Sequence, residues 1–184
     1  MKRMKGIRNQ PGEANVDGLL QLKVIDTFDV LAFHDPATYR DVAILMGEGP
    51  LPAGTFFLKP GASFKEIKFP AYQGSFNEKL TEGEVWMKTI TVTVPRDSLN
   101  VHYETSRYRG RRLMAILLDA NGYARLVGSP EFPLYVSVEV KTAQAVLTLT
   151  GTAPTRSCFL PGYSEPEFLG PSDFNSDFSF DFAL

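Results

Sequence analysis

Six consecutive apolar residues, LMAILL at positions 113–118, constrain this chain more than any other stretch. As a strand they require cover on both faces, because successive side chains point to opposite sides of a sheet. Asp119-Ala120-Asn121-Gly122 follows, and Asn-Gly supplies the positive-φ residues that a tight hairpin turn needs. Residues 123–127 then return beside the first strand. A hairpin buried in this way demands further β-structure around it, and both flanks offer it.

Residues 19–25 (LLQLKVI) alternate well enough for a strand, and a short apolar piece follows at Val30-Leu31-Ala32-Phe33. Residues 41–46 (DVAILM) form a short buried element that periodicity leaves open between helix and strand. Residues 47–54 (GEGPLPAG) are a turn by composition, and Pro60-Gly61 between two strand-like pieces suggests a second hairpin. Residues 70–83 (PAYQGSFNEKLTEG) read as a long polar loop, with Tyr72 and Phe76 as its contact residues. Residues 84–94 alternate: Trp86, Lys88, Ile90, Val92 and Val94 share one face and three threonines the other. In residues 134–141, Leu134, Val136, Val138 and Val140 face one way, and a short turn leads to a strand at 145–150.

The helix signal lies at 95–110. Asp97 or Ser98 suits the N-cap, Leu99 and Tyr103 lie one turn apart, and Gly110 suits a left-handed residue past the end. Arg107, Arg109, Arg111 and Arg112 crowd that end, where cations complement the helix dipole. This RYRGRR run is a candidate contact for a neighbouring subunit or for phosphate. About seven to nine short strands and one helix imply a mainly β fold, an antiparallel β-sandwich or barrel with a flanking α-helix and extended terminal arms. The expected division is an N-terminal arm at 1–18, the β-domain at 19–151 and a C-terminal extended arm at 152–184.

The last stretch, DFNSDFSFDFAL, repeats Asp-Phe with a period of four. In an extended chain Phe174, Phe178, Phe180 and Phe182 project to one side and Asp173, Asp177 and Asp181 to the other. Asn, Ser and Asp disfavour a helix interior, so an extended arm that lays phenylalanines on another apolar surface is the better account. A disordered tail, or one folded back on its own domain, is the alternative. The charge is polarised in the same sense. Lys2, Arg3, Lys5 and Arg8 make the start basic, whereas only acids follow Arg156.

Composition narrows the function classes. With 184 residues, 43% hydrophobic and 22% charged, the chain is long enough for one well-cored domain. A net charge of -2 gives no whole-molecule preference for nucleic acid or anionic lipid. Cys158 is the single cysteine, which excludes an internal disulfide and a thiolate zinc cage. Neither a secretory leader nor a run near 20 apolar residues is expected, so no membrane partner is. His34 and His102 lack metal-ligand spacing, and Asp26, Asp29, Asp35 and Asp41 near His34 read as turn residues. No nucleophile elbow, phosphate-cradling glycine loop or dinucleotide fingerprint is present. The expectation is a non-enzyme with no cofactor.

The helix at 99–110, the hairpin with DANGYARLVGS at 113–129 and the alternating hairpin at 133–151 together resemble virion structural proteins of tailed bacteriophages, the tail-tube protein above all. The likeness covers about a third of the chain. It implies a sandwich or barrel with a flanking helix, subunits in commonly hexameric rings, and rings stacked into a tube through which DNA passes as cargo. Partners would be copies of itself and other virion proteins, in a virion assembled in the host cytoplasm. A head decoration or neck protein is an alternative of the same class. A carbohydrate- or protein-binding sandwich, with Tyr72, Phe76 and Trp86 as aromatic platforms, is one of another class.

Overall fold

The computed structural model describes residues 17–34, 56–95, 99–141 and 144–160. In chain order the elements are β1 (Leu19–Asp26), a 3-10 turn (Thr27–Asp29), β2 (Val30–Phe33), β3 (Phe56–Leu58), β4 (Lys65–Glu66), β5 (Gly74–Leu80) and β6 (Trp86–Pro95). The helix α1 (Leu99–Tyr108) then leads into β7 (Leu113–Asp119), β8 (Ala124–Val127), β9 (Tyr135–Lys141), β10 (Gln144–Ala153) and β11 (Cys158–Leu160). A five-stranded sheet has the order β11-β8-β7-β1-β4, a four-stranded sheet the order β5-β6-β10-β9, and β2 and β3 form a separate ribbon. All of these strand pairs are antiparallel. None of the three sheets closes on itself, so among the described residues the fold is sandwich-like rather than a barrel.

Strand β7 is central in its sheet, and its apolar run divides between two cores. Leu113, Ala115 and Leu117 pack with Ile90 and Val92 of β6 and with Ala145, Leu147 and Leu149 of β10. Met114 and Ile116 face the other way, onto Phe56 and Leu58 of the ribbon and Leu126 and Leu160. Two-sided cover is thus provided by a sheet on one face and a ribbon on the other. Each leucine or isoleucine so enclosed contributes about 1.5–3 kcal/mol relative to exposure.

The β7–β8 turn differs from expectation in detail. Only Gly122 takes a positive φ, +84°; Asn121 does not. The Gly122 N–H donates to the Asp119 carbonyl at 3.0 Å, and Asp119 Oδ1 accepts from the N–H groups of Asn121 and Tyr123. An Asp side chain that closes the turn in this way removes the need for a second left-handed residue.

Three further expectations are corrected. Pro60-Gly61 is a turn but not a hairpin, because β3 pairs with β2 in the ribbon whereas β4 pairs with β1. Residues 70–83 are not a loop, since β5 occupies Gly74–Leu80 and pairs with β6 from Gly74↔Val92 to Leu80↔Trp86. Its polar side chains hid it, as befits a sheet-edge strand. The β-domain does not stop at 151: β10 runs to Ala153, and β11 pairs with β8 at Cys158↔Leu126. Gly151 sits inside β10 because a Cβ there would lie 2.7 Å from the Pro133 carbonyl. Residues 41–46 lie outside the described residues, as do residues 1–16 and 161–184 of the arms expected at 1–18 and 152–184.

The helix follows the sequence more closely. α1 ends at Tyr108, Gly110 has φ +73°, and Tyr108 packs against the sandwich core. Strand β9 is the outer strand of the four-stranded sheet, and its apolar face emerges steadily into solvent. Leu134 is fully buried and Val136 half-buried, but Val138 is 37% and Val140 53% exposed.

Candidate functional site

Past the end of α1 the backbone turns at Gly110 and presents three arginines to an open cleft of about 810 Å³. Arg109, Arg111 and Arg112 form one part of its lining, and Phe28, Val30 and Leu31, from the corner between β1 and β2, form another. Lys59 joins them, with its ammonium 3.3 Å from the centre of the Phe28 ring. Arg107 does not line the cleft; it lies 5.9 Å from the Tyr103 ring on the helix itself. The run RYRGRR is therefore split, three arginines on the cleft and one on the helix.

Local hydrogen bonds fix this geometry. Asp26 ends β1, and its Oδ1 accepts from the Phe28 N–H at 3.0 Å, capping the 3-10 turn that carries Phe28. Its Oδ2 accepts from Arg111 Nη1 at 2.7 Å. Arg111 Nε donates at 3.0 Å to the Arg107 carbonyl at the helix end, and the Thr27 N–H donates at 2.7 Å to the Arg112 carbonyl. The hydrogen bond to Asp26, with the charge attraction behind it, holds the Arg111 guanidinium above its ordinary pKa. Arg112 Nη2 donates to the Pro130 carbonyl at 2.7 Å. No ion pair joins Arg109 or Arg112 to a carboxylate among the described residues.

A second charged group lies inside the sandwich, where the sequence showed only Lys88 on an apolar face. Glu78 and Lys88 stand directly opposite on β5 and β6, with side chains only 4% and 5% exposed and Oε1 3.9 Å from Nζ. Glu78 Oε1 also accepts from the Ser157 N–H at 2.6 Å, and its Oε2 from Arg156 Nε at 3.2 Å. One carboxylate thereby ties the start of β11 to the four-stranded sheet. The neighbouring cavity, lined by Lys88, Ser129, Arg156 and Cys158 among others, has a volume of about 20 Å³. That is space on the scale of one water molecule, not of a substrate. Lys88 opposite the inward position 78 was the available signal, since a buried cation implies a carboxylate partner.

The remaining expected contact residues separate. Tyr72 is exposed, with φ +65°, in the turn before β5. Phe76 is not on a loop: it lies within β5, partly buried against the core, with Arg125 5.7 Å from its ring. Arg125 sits 4.0 Å from the Phe159 ring as well, and burial lowers its pKa. Trp86 is partly buried beneath Arg156, 5.0 Å from its ring centre. Tyr72 thus lies exposed in a turn, Phe76 against the core and Trp86 beneath Arg156. Asp173, Phe174, Asp177, Phe178, Phe180, Asp181 and Phe182 lie outside the described residues.

Comparison with protein-family models, curated proteins and solved structures finds no match. The chemistry of the surface has to be judged on its own. Among the described residues no group of three or more His, Cys, Asp or Glu is placed to hold a metal ion, and no helix is long and apolar enough to cross a membrane. What the arginine cleft presents is a cluster of cations beside exposed apolar surface.

Proposed function

We propose that this protein is a structural subunit that assembles with copies of itself, as in the tail tube of a tailed bacteriophage or a related virion tube. The outer strand β9 carries this reading. Beyond a single bridge between Val136 and Arg109, its flank away from β10 has no partner strand among the described residues, and Val138 and Val140 lie exposed on the strand past that bridge. An unpaired edge with apolar side chains invites a further strand unless it is blunted by charge, proline or a bulge. Here Glu139 and Lys141 alternate with the valines but pair with each other at 3.6 Å. A neighbouring subunit placed on this edge would continue the sheet and cover both valines, and repetition of a head-to-tail contact closes a ring.

Rings of such subunits, hexameric by the resemblance to tail-tube proteins, stack into a tube whose role is mechanical. The test is direct. Purified chain examined by sedimentation velocity and negative-stain electron microscopy should show rings or tubes. A chain that remains monomeric at high concentration would end the proposal.

A further inference from the structure

The lining of the arginine cleft holds four cations, Lys59, Arg109, Arg111 and Arg112, and one carboxylate, Asp26, a net charge of 4 − 1 = +3. Asp26 is matched by Arg111, which leaves the charge of Lys59, Arg109 and Arg112 for a ligand. Beside them Phe28 is 76% exposed and Leu31 61%. Large apolar side chains left in solvent next to fixed cations mark a surface for a ligand that is both acidic and apolar.

The chain itself contains such a ligand. Residues 173–182, DFNSDFSFDF, carry three aspartates and four phenylalanines. When extended, this stretch places carboxylates on one side and rings on the other, with successive aspartates about 13 Å apart. Three carboxylates stand against three cations, and phenyl rings against Phe28 and Leu31. Between the last described residue, Leu160, and Asp173 the chain can span about 40 Å, enough to reach a neighbouring subunit.

We propose that the cleft of one copy receives residues 173–182 of the next. This rests on the assembly reading above and adds to it a receptor and a direction, tail into cleft.

Two full-length variants test it by charge reversal. In the first, Arg109→Glu and Arg112→Glu reverse the cleft, and Arg111 is kept because it anchors Asp26. In the second, Asp173→Lys, Asp177→Lys and Asp181→Lys reverse the tail. Each alone should assemble at least about tenfold more weakly than wild type in sedimentation velocity, with unchanged circular dichroism. Mixed in equal amounts they should recover assembly, since acidic tails then meet native clefts and basic tails meet reversed ones. Wild-type assembly retained by either variant, or no recovery on mixing, overturns the proposal while leaving self-assembly standing if the wild type forms rings. A wild type that never assembles removes both. Loss of duplex-DNA binding in the cleft variant with assembly unchanged gives the cleft to phosphate and likewise overturns the proposal.

Discussion

Asp26 and Arg111, 85 residues apart, meet at 2.7 Å, and through this contact the corner after β1 is fastened to the loop after α1. The same carboxylate caps the turn that lifts Phe28 into solvent, so one side chain organises both the apolar and the cationic parts of the cleft. Loss of the Asp26 side chain removes a cap and an ion pair whose arginine is largely exposed. Asp26→Ala should cost about 1–2 kcal/mol in urea unfolding. Asp26→Asn keeps an acceptor for the Phe28 N–H and should recover about half of that.

Glu78 inside the sandwich should be far less tolerant. Glu78→Ala removes the carboxylate opposite a buried Lys88 and the acceptor of the Ser157 N–H, at a cost of about 3 kcal/mol. Glu78→Gln, which retains an acceptor, should fall between that variant and wild type. Replacing Lys88 by Met in the Glu78→Gln background should restore much of the loss. Equilibrium denaturation of the four proteins, with equal m-values, is the check.

Strand β7 offers a test of two-sided burial. Leu117→Ala and Met114→Ala open cavities in different cores, and each should destabilise by about 2–5 kcal/mol. If only one of the pair is costly, one face of β7 lies open and the layering is wrong.

Two glycines separate backbone strain from steric exclusion. At Gly122, φ is +84° and nothing lies within 4 Å of a new Cβ, so Gly122→Ala should cost only about 1 kcal/mol. At Gly151 a Cβ would meet the Pro133 carbonyl at 2.7 Å, and Gly151→Ala should lower the melting temperature more. Differential scanning calorimetry of the two variants would rank them.

The β9 edge predicts an effect on assembly without one on folding. Val140, 53% exposed, should accept Lys within about 0.5 kcal/mol of wild-type stability. The same Val140→Lys change places a charge where a neighbouring sheet edge would pack, and should reduce rings or tubes in electron micrographs severely. Unaltered assembly would mean that β9 is not the joining edge.

Where a stretch of sequence meets one environment along its whole length, its role was legible. The apolar run of β7, the alternation of β6 and Gly110 past α1 each record a local demand: cover on two faces, cover on one, a left-handed stop. β5 was not legible, because its polar side chains are explained only by the partner strand that turns Glu78 toward Lys88. Nor was the extension of the domain past Gly151, since β11 is short and owes its place to pairing with β8.

The cleft was half legible. The crowding of arginines near 107–112 was plain, but which of them share a surface was not, nor that Phe28 and Lys59 join them. By itself the amino-acid order determined the β character, the doubly covered strand at the centre, the helix end and the acidic–aromatic repeat, all set by neighbours within a few residues. Only the tertiary structure decided which layers provide that cover and which carboxylates meet Lys88, Arg111 and Arg156. Those pairings join residues from ten to 85 positions apart, and no local pattern of side chains encodes a distance in space.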